Sequence, residues 1–384
     1  MKMAQNFGKT QKHDAIVVGA GISGAAAARA LADAGKRVLV LEAKNFVGGN
    51  CFDFRDAETG ICVHKFGTHI FHTDDKRVWD FLSRFTAWRP YQHKVLAHID
   101  GEEVPVPFNL NSVRQVFPPT LAARIEEKLL ATFAFGARAT ILELRKNADP
   151  DLKFLGDYVY EKVFLHYTMK QWGKTPEEID PAVTARVPIF VSRDNRYFHD
   201  KYQAIPRDGY TAMIEKMLES PNIELCLETP FESVRNENPS ETPIFFSGAI
   251  DALFGNRFGA LPYRSVKFVF ETLPQEFFQK CACENYPCNF DFTRIGEYKY
   301  FLGDKSEKTI ISYEFPEPFV PEKNEPCYPI ANEETAALYA RYRELAANEM
   351  PAVQFLGRLG DYRYYDMDDA VARALALVEQ FLKK

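Results

Sequence analysis

The sequence has no run of 18 apolar residues, no internal repeat and no low-complexity tract. The first absence argues against a membrane-spanning helix, which needs about 20 apolar residues. The polar first dozen residues contain no apolar leader segment and are expected to form a tail. An excess of positive charge is also missing, because 47 Lys and Arg residues face 53 Asp and Glu residues. A nucleic-acid partner is therefore not expected, and an anionic ligand would need local arginines.

Paired cysteines are not indicated either. The chain has seven cysteines, and this odd number, with no secretion signal, favours a reduced, cytoplasmic compartment. Cys281, Cys283 and Cys288 follow a C-x-C-x4-C spacing with no fourth ligand nearby. Structural metal sites usually have four ligands, so no metal is expected there.

Apolar and aromatic residues are plentiful, at 46% and 14% of the 384 residues. At roughly 100–200 residues per domain, the length predicts two or three domains. Most of the rings are expected in the core, since aromatic side chains supply much buried area. The remainder could line a cleft for a flat ligand.

A βαβ unit is predicted near the start of the chain. An apolar strand at 15–18 precedes the glycine turn 19–24, an Ala-rich helix follows at 25–34, and a second apolar strand at 38–41 ends at Glu42. This order is the context that gives a G-x-G-x-x-G turn its meaning. It predicts a Rossmann-type dinucleotide site within an α/β fold.

Each glycine of that turn has an expected role. Gly19 permits the tight turn, Gly21 lets the backbone approach a pyrophosphate, and Gly24 allows the helix to pack closely on the strand. The N-terminus of the helix offers free N–H groups to the phosphates. Glu42 lies 18 residues beyond Gly24, where it can accept hydrogen bonds from a ribose.

Two further segments favour FAD over NAD. Gly48 and Gly49 follow Glu42 closely, as in flavoproteins where a second backbone nest meets the same pyrophosphate. Near the C-terminus, the segment 355–361 is similar to the one that returns to a flavin. The backbone after the predicted strand 223–227 could contact adenine.

The other segments predict two further structural units. Helical spacing covers 109–180, chiefly 124–135 and 152–170. Short strands are predicted at 265–272, 298–302 and 309–315, as in an antiparallel sheet. The last segment reads as strand, loop and helix, with the helix at 370–382.

Five longer strings are far more specific than the glycines. They are His64-Lys65-Phe66-Gly67-Thr68-His69-Ile70-Phe71-His72-Thr73, Tyr167-Thr168-Met169-Lys170-Gln171-Trp172-Gly173, Asp194-Asn195-Arg196-Tyr197-Phe198, Arg257-Phe258-Gly259 with Pro262-Tyr263-Arg264-Ser265, and Arg358-Leu359 with Tyr362-Arg363-Tyr364-Tyr365-Asp366-Met367. In order and spacing they resemble the bacterial UDP-galactopyranose mutase family, from about residue 15 to about 381.

The resemblance implies an enzyme that interconverts UDP-galactopyranose and UDP-galactofuranose without net redox change. In the family FAD must be reduced, and its N5 is thought to attack the anomeric carbon and displace UDP. The sugar opens as an iminium adduct, recloses with the other ring size, and UDP adds again. The cofactor supplies the nucleophile, and the protein supplies orientation and electrostatics.

The resemblance also implies site residues. Arg186 and Arg294 match the two essential arginines that hold the diphosphate, and His69 matches the histidine beside the flavin. The segment 176–188, which carries Arg186, corresponds to a loop that closes over substrate. Expected cofactor contacts are Gly19, Gly21, Ser23, Gly24, Glu42, Ala43, Gly49, Asn50, His69, Ile70, Phe231, Arg358, Tyr365, Asp366 and Met367.

The expected substrate contacts include a uridine pocket. Phe164, Tyr167 and Trp172 match it, although core packing explains Phe164 equally well. The full set of expected substrate contacts is Phe164, Tyr167, Thr168, Trp172, Arg186, Tyr197, Phe198, Arg294, Tyr328 and Tyr364.

Three departures from the family pattern leave the sugar open. Asp291-Phe292 stands where a Tyr is frequent, Ala249 where a Pro is common, and 92–94 replaces an Asn-containing stretch near the sugar. UDP-N-acetylgalactosamine or a related UDP-hexose is therefore an alternative substrate. Outside the mutases, the alternatives are an amine-oxidase-like flavin oxidoreductase and a non-catalytic nucleotide sensor.

The expected organisation has three parts. A discontinuous FAD-binding domain covers 1–85, 203–255 and 350–384. A helical domain covers 107–185, and an antiparallel-sheet substrate domain covers 86–106, 186–202 and 256–349. NAD(P)H or another reductant is expected to reduce the flavin, and a homodimer is expected because the family is commonly dimeric.

Overall fold

A computed structural model describes residues 13–175, 178, 188–235 and 242–383. The described residues form two compact units. The first unit is drawn from 1–49, 214–258 and 340–384, and the second from 50–213 and 259–339. The three-part division expected from the sequence stays a prediction.

The strands are β1 Ala15–Val18, β2 Val38–Leu41, β3 Asp53–Arg55, β4 Cys62–His64, β5 Phe71–Thr73, β6 Trp88–Pro90, β7 Val95–Ile99, β8 Glu102–Val106, β9 Arg138–Ala139, β10 Ile189–Phe190, β11 Tyr202–Pro206, β12 Ile223–Cys226, β13 Ile244–Phe246, β14 Tyr263–Leu273, β15 Cys283–Asn285, β16 Arg294–Glu297, β17 Thr309–Pro318, β18 Tyr328–Pro329 and β19 Val353–Phe355.

The α-helices are α1 Ile22–Asp33, α2 Lys76–Leu82, α3 Leu110–Val116, α4 Pro119–Thr132, α5 Ile141–Arg145, α6 Pro150–Val159, α7 His166–Trp172, α8 Tyr210–Leu218, α9 Phe231–Val234, α10 Ile250–Leu253, α11 Lys299–Leu302, α12 Glu333–Glu349, α13 Gly357–Gly360 and α14 Met367–Leu382. A 3₁₀ turn covers Gly49–Cys51, and a π-helical segment covers Tyr160–Leu165.

The first unit contains a parallel five-stranded sheet in the order β12-β2-β1-β13-β19. Its two inner predicted strands, β1 and β2, are buried along their whole length, as expected for a parallel sheet covered on both faces. Helix α1 connects them and packs against α14. The predicted βαβ unit and the α/β class are confirmed.

The second unit contains a seven-stranded sheet in the order β18-β14-β17-β16-β15-β7-β8. Its neighbours are antiparallel except β15 and β7, which run parallel. The long strands β14 and β17 pair from Arg264 opposite Pro318 to Leu273 opposite Thr309. The predicted strands at 265–272 and 309–315 lie within this pair.

The strand predicted at 298–302 is wrong, because Lys299–Leu302 is a helical turn. It ends at Gly303, whose φ of 65° breaks the extended direction. The buried Lys299 ammonium donates to the carbonyls of Glu276 and Ser306, and the latter bond is 2.7 Å long. These contacts override the strand preference of the local aromatic residues.

The helices predicted between 109 and 180 are confirmed in α3–α7. Helix α6 continues through the π-helical segment into α7, which ends at Gly173 with φ 68°. This continuous segment places Tyr167 and Trp172 at its C-terminal end.

We expect Gly156→Ala to lower the free energy of unfolding by about 1–3 kcal/mol. A methyl group at this position of α6 meets the backbone nitrogen of Arg145 at 2.7 Å and the carbonyl carbon of Leu144 at 2.8 Å. Because these atoms are backbone, they cannot move aside like a side chain. Urea unfolding measures the effect, with the exposed Lys153→Ala on the same helix as control. Equal midpoints for the two variants would contradict the prediction.

Among the helices of the described residues, none combines the length and apolar character that a membrane span requires. All seven cysteines are free thiols.

Candidate active site

The glycine turn of the first unit admits no larger residue at two of its positions. An ideal Cβ on Gly24 lies 1.9 Å from the carbonyl oxygen of Gly19, and Gly19 itself has φ 95°. A Cβ on Gly21 meets nothing closer than the Cα of Gly49, at 3.8 Å. The space beside Gly21 is therefore open to a ligand.

A second glycine segment lies against this turn. Gly48 donates its N–H to the carbonyl of Ala20 at 2.9 Å and forms a parallel bridge with Gly21. Helix α1 begins here without a side-chain cap among the described residues and without an acidic residue in its first turn. Its first N–H groups and the positive end of its dipole suit an anion.

The Glu42 side chain is held in place by backbone N–H groups. One carboxylate oxygen accepts from Ala20 at 2.7 Å and the other from Lys44 at 2.9 Å. Glu42 is 7% exposed. A carboxylate has about four acceptor sites, so this one retains capacity for ribose hydroxyls.

The C-terminal segment contributes a third glycine. Gly357 has φ 75°, and an ideal Cβ there lies 3.2 Å from Oγ of Ser23. The guanidinium of Arg358 donates to the carbonyl of Tyr365 at 2.5 Å and lies 4.9 Å from the ring of Tyr364. Asp366 is the N-cap residue of α14, which begins at Met367.

Phe231 of the first unit is buried, and its ring lies 5.8 Å from that of Phe246. The preceding backbone is tied to the end of β2, because Thr229 donates to the carbonyl of Glu42 at 2.8 Å. Together these elements fit a dinucleotide, since glycine backbones, a helix N-terminus and a fixed carboxylate converge within one unit.

In the second unit, His69 is fixed by its neighbours. The backbone N–H of His69 donates to the ring Nδ1 of His64 at 3.0 Å. The ring Nδ1 of His69 lies 2.8 Å from the carbonyl oxygen of Gly67. Tyr210 donates its hydroxyl to the carbonyl of His69 at 3.2 Å. Asn50, in the 3₁₀ turn, and Ile70 are half-buried residues of the same unit.

Arg294 lies at the start of β16, and its polar contacts with residues that the structure describes are all long. Its guanidinium donates to Tyr167 at 3.2 Å, to Asn285 at 3.3 Å and to Thr68 at 3.5 Å. Its carboxylate neighbour, Glu314, is 3.8 Å away. None of these contacts has the short, forked geometry of a bidentate ion pair, so the cation can still bind a strong anionic acceptor.

The Arg294 guanidinium stays protonated and therefore positively charged. Burial alone would lower its pKa, but Tyr167 and Glu314 raise the pKa well above its ordinary value. Burial in turn raises the pKa of Glu314, against the effect of Arg294. About a quarter of the Arg294 side chain, 27%, stays exposed.

The helix and strands around Arg294 present several predicted substrate contacts. Tyr167 contacts Arg294 directly, and the ring of Trp172 lies 6.1 Å from that of Tyr328. Thr168 and Phe164 are buried at 3% and 5% exposure. The ring of Phe164 lies 6.1 Å from that of Tyr160.

A second aromatic group surrounds His93. Phe198 stacks on His72 with ring centroids 3.6 Å apart and on His93 at 5.9 Å. Tyr197 donates its N–H to the carbonyl of His93 at 2.8 Å. Arg294 and His72 both disfavour the protonated form of His93.

Histidine burial predicts an acid-sensitive fold. Burial lowers the pKa of His93 to about 3. Between pH 6.5 and 3 the unfolded chain binds a proton here that the folded chain does not, so stability is lost as pH falls through this window. His93→Gln is expected to reduce the loss of unfolding free energy by about 0.7 kcal/mol between pH 7 and 6 and by about 1.2 kcal/mol between pH 6 and 5. Denaturant titrations at pH 7, 6 and 5 measure it, and an unchanged loss would count against a neutral, buried His93.

Arg186 lies outside the described residues. Several neighbours of Arg294 were absent from the predicted site, namely Thr68, Asn285 and Glu314. Thr68 belongs to the 64–73 string, but Glu314 contacts Arg294 only because β16 and β17 pair them in register.

A cavity of about 850 Å³ elsewhere in the second unit, lined by Arg89, Phe277, Tyr300 and the 303–307 loop, includes none of the predicted residues.

Comparisons with known proteins identify the family. The family model for UDP-galactopyranose mutase matches residues 162–364, and a model for NAD(P)-binding Rossmann-like domains matches 17–85. A UDP-galactopyranose mutase of Mycoplasma pneumoniae is 37% identical over 98% of both chains. The chain belongs to the UDP-galactopyranose mutase family. The resemblance stated from the sequence is confirmed.

Two further comparisons concern a curated relative and a solved structure. A dTDP-fucopyranose mutase of Escherichia coli is 34% identical over 96% of this chain and 98% of its own. A crystal structure of reduced UDP-galactopyranose mutase superposes with a TM-score of 0.68, at 14% identity, over 97% of this chain and 94% of the other. This superposition confirms the fold. The relatives are named as mutases, which confirms the prediction of an isomerase.

Proposed function

We propose that this chain interconverts UDP-galactopyranose and UDP-galactofuranose, using FAD that is active when reduced. The observation that carries the proposal is Arg294, a half-buried cation beside Tyr167 whose polar contacts with the described residues are all 3.2 Å or longer. It suits the negative charge that develops on a departing diphosphate, because guanidinium is permanently charged.

FAD fits the residues of the first unit. The glycines at 19, 21, 24, 48 and 49 and the N-terminus of α1 would hold the pyrophosphate, and Glu42 would accept from the ribose. Arg358, Tyr365, Asp366 and Met367 would lie toward the flavin. Reduced FAD supplies an electron-rich nitrogen as nucleophile, and the reaction ends without net redox change.

The residues of the second unit would position the sugar nucleotide. Tyr167 and Trp172 would hold the uracil, and Tyr197, Tyr328 and Arg294 would bind the diphosphate. Phe198 would cover the sugar. By resemblance, Arg186, which lies outside the described residues, would also bind the diphosphate. His69 would respond to the redox state of the flavin.

The choice of sugar nucleotide is part of the proposal. One relative, 34% identical to this chain, is named for a different nucleotide sugar, dTDP-fucopyranose, which supports testing more than one sugar nucleotide. His93, from the divergent stretch 92–94, contacts the rings of Tyr197 and Phe198. We propose that His93 influences which sugar is accepted.

A substrate panel tests the proposal. The dithionite-reduced protein is given UDP-galactopyranose, UDP-N-acetylgalactosamine or dTDP-fucopyranose, and the furanose products are resolved by chromatography. The expected result is the highest kcat/KM for UDP-galactopyranose. Reduction of the oxidised flavin by a substrate, in a parallel sample without dithionite, would support the oxidoreductase, and binding without conversion would support the sensor.

The remaining proposals concern the setting of the enzyme. NAD(P)H or another reductant would maintain the flavin, the protein would act in the cytoplasm, and it would form a homodimer. Light scattering of the purified chain tests the last point, and a monomeric mass would overturn it.

A further inference from the structure

Lys170 makes a set of contacts that the reaction itself does not require. It lies on α7, one turn beyond Tyr167, so the two side chains share a face of the helix. Its ammonium donates to the carbonyls of Tyr286, Phe290 and Phe292 at 2.5, 3.0 and 2.9 Å. An ammonium has three donors, and all three are used.

The acceptors belong to the loop that leads directly into Arg294. Its three aromatic rings pack on each other, with centroids 4.8–5.2 Å apart. The backbone carbonyls of the same three residues all accept from the Lys170 ammonium. The next residue, Thr293, is tied by its N–H to the carbonyl of Glu314 at 2.9 Å. The end of the loop is thereby fixed at both sides before Arg294 begins β16.

These contacts connect α7, the loop and Arg294 to one another in turn. Helix α7 holds the loop through Lys170, the loop leads to Arg294, and the Arg294 guanidinium returns to α7 through the hydroxyl of Tyr167. The end of α7 is fixed independently, because Arg264 of β14 donates to the carbonyls of Gln171 and Lys170 at 2.9 and 3.0 Å.

We propose that Lys170 is a positioning residue for the diphosphate site, acting through the 286–292 loop on Arg294 and Tyr167. This inference rests on the proposed function of Arg294 as a diphosphate ligand. Lys170 itself contacts carbonyl groups of the protein and no reacting atom. Without it, three backbone carbonyls lose their donor and the loop can shift the guanidinium away from its place.

The site also predicts a pH effect. Burial lowers the pKa of Lys170 to about 8, while Cys288 and Asp291 of the loop favour its charged form. Further charged groups around this part of the helix, among the described residues, include Lys162, Arg264, Asp100 and Glu161. Above about pH 8 the neutral amine has only two N–H donors for three carbonyls, so the loop loses a contact.

UDP binding to the purified protein, measured by calorimetry, tests the proposal without relying on turnover. Lys170→Met is expected to raise the Kd for UDP about tenfold at pH 7. In an Arg294→Ala background the same substitution should change the Kd less than about twofold, because effects that act through one residue are not additive. Lys162→Met is the matched control, since Lys162 pairs with Asp100 at 2.9 Å instead, and its Kd should be unchanged.

An equal penalty from Lys170→Met in both backgrounds, or none in either, overturns the inference. If Lys170→Met fails to fold, the pH series from 7 to 9 replaces it: the Kd of the unmodified protein should rise through about pH 8, and that of Arg294→Ala should not. A pH-independent Kd then overturns the inference. If the unmodified protein binds UDP but shows no mutase turnover, the proposed function fails while the positioning role stands.

Discussion

Replacing Arg294 by alanine is expected to lower mutase kcat by about 10²–10³-fold, the usual cost of removing one donor that stabilises developing charge. The guanidinium is charged, partly exposed and held by contacts of 3.2 Å or longer. It therefore retains donor capacity for a diphosphate. Because the charge on that group grows as the glycosidic bond breaks, the loss should fall mainly on kcat. Steady-state assays with dithionite-reduced protein measure it.

Two further variants separate catalysis from folding. Arg294→Ala leaves the buried Glu314 without its cation, and uncompensated burial of a charge destabilises a fold. Arg294→Lys keeps a positive charge near Glu314 but loses the fork of donors, so it should fold normally and still be strongly impaired. The control is Arg124→Ala, which removes only a surface pair with Asp151. Turnover of Arg294→Lys within about threefold of the unmodified enzyme would contradict the role of a forked guanidinium.

The second large effect is expected at the glycine turn, where two substitutions should fail for different reasons. In Gly24→Ala the new methyl lies 1.9 Å from the carbonyl oxygen of Gly19, so the turn itself must distort. In Gly21→Ala the methyl contacts no protein atom closer than 3.8 Å, but it fills the space beside the expected pyrophosphate. Both variants should bind FAD at least about 100-fold more weakly, equivalent to about 2.7 kcal/mol.

Stability of the apoprotein distinguishes the two. Gly24→Ala should unfold at a lower urea concentration than the unmodified apoprotein, whereas Gly21→Ala should match it. FAD titration followed by flavin fluorescence gives the affinities. Normal FAD binding by Gly21→Ala would show that the dinucleotide does not lie against this turn.

Short-range patterns predicted the elements that the chain builds locally. The turn 19–24 and its flanking strands follow from glycine spacing and apolar runs, because both depend on neighbours in sequence. The spacing between Gly24 and Glu42 also gave the expectation that Glu42 binds a ribose, which stays a prediction. The helices of 109–180 could be predicted for the same reason.

Long-range pairing could not be read from the sequence. Glu314 faces Arg294 because two strands pair in one register, and register depends on the whole sheet. Lys170 reaches carbonyls 116–122 residues away. At 298–302 the sequence predicted an element that does not form. Local aromatic content suggested a strand, but tertiary contacts and Gly303 produce a helical turn at 299–302.

The central claim is that reduced flavin and Arg294 together rearrange a nucleotide sugar without consuming electrons. One measurement tests it most directly: UDP-galactofuranose is added to the oxidised and the dithionite-reduced protein while flavin absorbance and products are followed together. Conversion to UDP-galactopyranose in the reduced sample alone, over many turnovers and with unchanged flavin absorbance, is the expected result. Equal conversion by the oxidised protein, or stoichiometric flavin oxidation with each product, would contradict it.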